Sequence, residues 1–140
     1  MRIAVDVMGG DHGCGVIVDG VLQALDEFQA LQSATLVGRE SEIEVALAGR
    51  STSSGRISIC HAREVLSMQD KAMDAVRRKK DCSISVGVDL LKHGKADAFL
   101  SPGNTGGVVT AATVKLRRLT GLERAGIATV LPAPKNDFVL

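Results

Sequence analysis

The sequence predicts an α/β protein, a parallel sheet with right-handed crossovers and helices on both faces. Three observations carry that prediction. Short apolar runs alternate along the chain with segments of helical periodicity, the rhythm of repeated β-α-β units. Aromatic residues make up only 2% of the chain, with no Trp and no Tyr, so the core must come from Val, Leu, Ile and Ala, the residues of a sheet buried on both sides. Two glycine-rich loops each follow an apolar run, where open α/β sheets bind ligands.

Arg2 to Val7 is a short apolar strand, and Met8 to Gly15 is a glycine-rich loop. Val18, Val21, Leu22, Leu25 and Phe28 then recur at helical spacing on one amphipathic face. Ala34 to Gly38 is the second strand, and Glu40 to Ala48 the second helix, with Ile43 and Leu47 on one side. Ser51 to Gly55 is a small, polar turn, and Arg56 to Cys60 alternates as the third strand. Asp70 to Lys80 is charged and fits a helix, while Ile84, Val88 and Leu91 mark the buried face of another that ends at Gly94.

Ala96 to Leu100 is the fourth strand. Thr105 to Leu119 follows as a helix, with Val109, Ala112, Leu116 and Leu119 directed at the sheet and Gly106, Gly107 and Ala111 permitting close packing. Ile127 to Leu131, ending at Pro132, is a further strand. Asn136 to Leu140 begins another strand-like run and stops without a polar tail, which reads as truncation with a strand edge left exposed.

At 140 residues and 45% hydrophobic content the chain can form one domain with a real core. A formal net charge of +1 gives no global electrostatic case for nucleic acid, and the lack of aromatics removes the stacking platforms that single strands use. No run approaches the roughly twenty apolar residues of a membrane-spanning helix. The N-terminus enters a strand with no leader-like segment, and the odd cysteine count (Cys14, Cys60, Cys82) agrees with a reducing compartment, so a cytoplasmic location is expected.

Several chemistries are excluded by spacing. Gly10-x-x-Gly13-x-Gly15 reverses the dinucleotide fingerprint, and Gly94-Lys95, the only Gly-Lys pair, lacks the rest of a P-loop. His12, Cys14, Cys60 and His61 match no common zinc spacing, so no metal and no cofactor is expected. Cys60 and His61 are adjacent in a strand and point to opposite faces, poor geometry for a thiolate and its base. His93 sits at a helix end, where the dipole accounts for it.

Ser101-Pro102-Gly103-Asn104-Thr105-Gly106-Gly107 has the make-up of an anion cradle. Pro102 and Gly103 force a turn, Asn104 or Thr105 can cap the helix, and the Gly106 and Gly107 amides would face outward toward a phosphate. A capped turn that binds nothing is the alternative. Arg77-Arg78-Lys79-Lys80 is the one concentrated charge run, either a solvated helix face or a receiver for phosphate or an acidic protein. Asp6 and Asp11 bracket the first glycine loop as turn caps, and His12 beside them could donate a proton at neutral pH.

Four stretches taken in order resemble bacterial phosphate acyltransferases of the PlsX type. They are Arg2 to His12, Arg77 to Asp81, Lys95 to Gly106 and Ile127 to Pro132. The resemblance implies a three-layer α/β/α Rossmann-like fold, similar to the phosphotransacetylase and isocitrate dehydrogenase group. It also implies a homodimer whose chain is substantially longer than this one. The implied reaction turns acyl-(acyl carrier protein) and inorganic phosphate into acyl phosphate, for a membrane-bound partner that acylates glycerol 3-phosphate; peripheral association of the protein itself with the inner face of the membrane goes with it. Gly13-Cys14-Gly15, Pro102, Gly107 and Cys82 depart from the family's usual residues.

On this reading bound phosphate attacks the thioester directly, because no protein nucleophile is credible. Ser101, Asn104, Thr105 and the Gly106 and Gly107 amides are expected to hold phosphate, with Asp6, Gly9, Gly10 and Gly103 completing the two binding loops. Arg78 and Lys79 would neutralise phosphate or meet the carrier protein, and Asp11 with His12 would organise the thioester. Asp11, His12 and Asn104 are thus the expected catalytic residues. A phosphotransacetylase using acyl-CoA, or a non-catalytic part that keeps phosphate or carrier-protein binding, are the alternatives.

Overall fold

A computed structural model describes residues 1–50, 55–132 and 138–139. Four parallel strands form its main sheet: β1 (Arg2–Asp6), β2 (Ser33–Gly38), β3 (Ile57–His61) and β4 (Ala98–Leu100), in the order β3-β2-β1-β4. The helices are α1 (Cys14–Glu27), α2 (Glu40–Leu47), α3 (Ala72–Arg78), α4 (Ser83–Lys92) and α5 (Thr105–Lys115). Successive strand residues alternate between faces, as the period of two requires. Val5 and Val7 pack with Ala34 and Leu36 against Val18, Val21 and Leu25 of α1 and Ile43 of α2. Ala4 and Val37 face the other way, toward Val86, Leu90 and Leu91 of α4.

These two layers of helix around one sheet bear out the α/β prediction. Close approach is what the small residues supply. A methyl group at Gly87 of α4 would lie 2.1 Å from the Phe99 ring, so α4 rests on β4 at a distance only glycine allows. α4 ends as its sequence predicts, with Gly94 at φ +64° in the left-handed region.

Four sequence expectations are corrected. α1 starts at Cys14, inside the segment read as loop, and Phe28 at its end is exposed rather than on the buried face. The charged helix is shorter than read, Ala72–Arg78. α5 ends at Lys115 and packs on α4 and α3 through Gly107 and Ala111; Leu116 and Leu119, expected to face the sheet, are exposed. Residues 127–131 shrink to β5 (Val130–Leu131), which leaves the parallel sheet and pairs antiparallel with β6 (Phe138–Val139). The turn read at Ser51 to Gly55 lies mostly outside the described residues, as do parts of the run from Asn136.

Candidate functional site

β1 connects through α1 to β2 on one side, and β4 lies on its other side, so strand order reverses between β1 and β4. Open α/β sheets place their ligand crevice at the carboxyl ends of the strands at such a reversal. Both glycine loops are there, 7–13 after β1 and 101–104 after β4.

Asp6 clasps them together. Its side chain is 1% exposed; Oδ1 accepts from the backbone N–H of Met8 (2.9 Å) and Gly9 (3.2 Å), and Oδ2 accepts from the Ser101 hydroxyl at 2.7 Å. Ser101 Oγ in turn accepts from the Gly103 N–H at 3.1 Å. The loops then meet backbone to backbone, since a methyl group at Gly9 would stand 2.6 Å from the Gly103 nitrogen. Gly10 completes the first turn at φ +86°, beside Pro102.

Each loop feeds a helix N-terminus. Gly13 caps α1 with no side-chain acceptor, so the N–H groups of that first turn keep no cap partner. Asn104 caps α5: its Oδ1 accepts from Gly107 N–H at 2.9 Å, while its Nδ2 donates to the carbonyls of Ser67 (2.9 Å) and Asp70 (3.4 Å). Both loops thus lead into helix N-termini, whose positive dipole ends are suited to an anion.

Placement refines the expected roles. Asp6, Gly9, Gly10, Ser101 and Gly103 come together as predicted. Asp11 and His12 stand exposed on the first loop, and Thr105 and Gly106 are exposed in the first turn of α5. The Gly107 amide, expected to face a ligand, is instead spent on the Asn104 cap, with Leu66 packed where its side chain would be. Asn104 itself is buried, with its oxygen and nitrogen both committed.

Lys79 turns inward, its Nζ donating to Asp70 Oδ2 (2.7 Å) and the Val65 carbonyl (2.9 Å). That contact, with the Ser67 N–H, holds the Asp70 carboxyl below its ordinary range. Arg78 remains exposed at the end of α3.

The 65–70 segment is the part sequence reading missed. Ser67 and Asp70 connect Lys79 to Asn104, and so brace the cap of α5 from below. Its signal was present as the Ser-x-x-Asp spacing ahead of α3, in which the acid reaches back to the serine N–H.

All three cysteines are free, and desolvation pushes the thiols of Cys14, Cys60 and Cys82 up, away from the reactive thiolate. His61 Nδ1 accepts from the Glu40 N–H and so caps α2, and His93 Nδ1 lies 2.7 Å from the Asp89 carbonyl at the end of α4. Among the described residues no helix is long and apolar enough to cross a membrane.

The fold defines a class, an α/β protein whose two glycine loops meet at the switch point of a parallel sheet. Comparison with known proteins narrows it. The family described as "Fatty acid synthesis protein" matches residues 1–140, and the chain belongs to that family. It is 49% identical over 138 residues to a phosphate acyltransferase of Akkermansia muciniphila, covering 99% of this chain and 39% of that one. Identity is 46% to the phosphate acyltransferase of Geobacter sulfurreducens and 41% to that of Bacillus subtilis, each over all of this chain and 40% and 41% of theirs. The chain thus spans about two fifths of the length of these curated relatives.

Proposed function

We propose that this chain builds one wall of the active site of an acyltransferase that forms acyl phosphate from acyl-(acyl carrier protein) and inorganic phosphate. The observation that carries the reading is the Asp6 to Ser101 clasp, which joins two glycine loops, each leading into a helix, at the carboxyl ends of β1 and β4. The relatives' name, phosphate acyltransferase, supports the reaction class.

Phosphate rests on the exposed N–H groups at Thr105 and Gly106 and on the dipoles of α1 and α5. One phosphate oxygen attacks the thioester carbonyl carbon, a C–O bond forms, the C–S bond breaks, and the carrier's thiolate leaves with a proton supplied by His12. Asp11 beside it helps to organise the thioester end. Ser101, Gly103 and Asn104 position the loop and the cap rather than touch the reacting atoms. Exposed Arg78 meets the acidic carrier protein. A cytoplasmic homodimer that hands acyl phosphate to a membrane-bound glycerol 3-phosphate acyltransferase belongs to the same reading.

The span of two fifths of the relatives favours a second reading, in which these 140 residues bind phosphate or carrier protein and turn over only with the rest of the longer polypeptide. Trapping acyl phosphate with hydroxylamine separates the cases. The full-length gene product should give phosphate-dependent hydroxamate from the carrier-protein thioester, with His12→Ala slower on the order of 10²-fold. No phosphate-dependent product from any thioester sinks the proposal, and product from acyl-CoA alone makes the protein a phosphotransacetylase. Turnover by the isolated 140 residues at full-length rates removes the second reading.

A further inference from the structure

We infer that the groove between α1 and the β1–β4 pair holds the acyl chain, with the reacting carbonyl at its Ser101–Pro102 end. The inference rests on the acyltransferase reading above. The groove encloses about 370 Å³, within the usual range of ligand pockets, and its lining is almost wholly apolar. Ile3 and Val5 form the floor, Ile17 and Val21 one wall, and Leu100 the other.

Continuity with the crevice specifies the occupant. Ser101 and Pro102 close one end of the groove; Ser101 is the residue bound to Asp6, and Pro102 lies against Gly10 of the first glycine loop. Ile3 stands opposite Ala98 in the parallel register, four residues before Pro102, so the trough runs about 13 Å along the strand at ~3.3 Å per residue. A molecule with an anionic or thioester head at the loops would thus lay an apolar tail of that length beside α1.

Gly20 supplies a separate observation. It sits mid-helix in α1, where glycine is disfavoured against alanine. Tight packing would explain it, but a methyl group there would meet nothing within 4 Å. What Gly20 does is keep the groove wide on the α1 side, because it lines the groove without filling it.

The test uses inorganic phosphate, ethyl phosphate and decyl phosphate as probes, titrated calorimetrically into the 140-residue chain and the full-length gene product. Decyl phosphate should bind on the order of 10²-fold tighter than ethyl phosphate. Gly20→Phe should abolish that gain and leave ethyl phosphate binding unchanged, while melting no lower than the parent. Gly20→Met serves as the second blocking variant if the phenylalanine disturbs α1.

No chain-length gain, or a gain that survives Gly20→Phe and Gly20→Met, overturns the groove assignment; the phosphate reading then stands if ethyl phosphate still binds. A gain seen in the 140 residues but absent from the full-length product shows that polypeptide fills the groove, and also overturns it. Decyl phosphate bound in a Gly20-dependent way with no binding of inorganic or ethyl phosphate supports the groove and removes the phosphate crevice instead.

Discussion

Ser101 donates its hydroxyl proton to Asp6 Oδ2 at 2.7 Å across 95 residues of chain, and this bond closes the carboxyl ends of β1 and β4. The amino ends of the same two strands are closed by Arg2 and Asp97, also 95 residues apart, with the guanidinium 2.6 Å from the carboxylate. Equal separation is what a parallel register demands, so the two pairs act as bolts at opposite ends of one strand pair. The upper bolt joins the two glycine loops, and the lower one ties the amino ends of the strands.

Ser101→Ala should destabilise the fold and weaken phosphate binding together. Asp6 is buried and accepts three hydrogen bonds, two from backbone and one from Ser101. Removing one donor from a buried carboxylate costs about 1–3 kcal/mol, readable in urea unfolding. An unchanged unfolding midpoint would show that water replaces the hydroxyl and that the clasp is dispensable.

Gly9→Ala tests the contact between the loops. The added methyl would stand 2.6 Å from the Gly103 nitrogen and 2.8 Å from its Cα, both backbone atoms, so one loop has to move. A loss of about 1–3 kcal/mol is expected, with lower phosphate affinity. Gly126→Ala is the control, because nothing lies within 4 Å of its new methyl; it should stay within about 0.5 kcal/mol of the parent. Equal behaviour of the two variants would refute the close approach.

Much of this arrangement was legible in the sequence. Alternating apolar runs located the four parallel strands described, the Gly94 stop ended α4 correctly, and the two glycine loops fell at the ends of β1 and β4. What periodicity could not show is which partner a polar side chain takes. Lys79 read as a partner for phosphate or the carrier protein within a basic run, yet its Nζ lies on Asp70, a pairing set by the fold of the 65–70 segment. The face of α5 was misread for a related reason. Its largest apolar residues suggested one stripe, but α4 and α3 select the small residues Gly107 and Ala111, where Leu66 and its neighbours can seat.

Asn104 separates a cap from a catalyst. Asn104→Ala loses the bond to Gly107 N–H and the tie to Ser67, and should cost about 1–2 kcal/mol while exposing the 65–70 segment to faster amide exchange. Asn104→Asp keeps the cap acceptor but sets a carboxylate oxygen against the Ser67 and Asp70 carbonyls, so it should restore only part of the stability. If instead both variants hold full stability while acyl phosphate formation collapses, Asn104 touches the reacting atoms and the capping role assigned to it is wrong.

Acid should loosen the lower bolt. Hydrogen bonds from the Arg2 side chain and backbone hold Asp97 down from 3.8 to about 2, and Lys79 and the Ser67 N–H lower Asp70 in the same direction. A carboxylate whose folded value is depressed contributes stability that is complete above its unfolded value and vanishes as pH falls through its folded one. The melting temperature should therefore fall between about pH 4 and pH 2, beyond the general acid effect. Asp97→Asn should flatten that decline and lower the melting temperature at neutrality by a matching amount, a small one because the pair is solvent-exposed and screened. A decline of the same steepness in Asp97→Asn would assign the acid sensitivity to other carboxylates, with Asp70 and its Lys79 partner the next to test by Asp70→Asn.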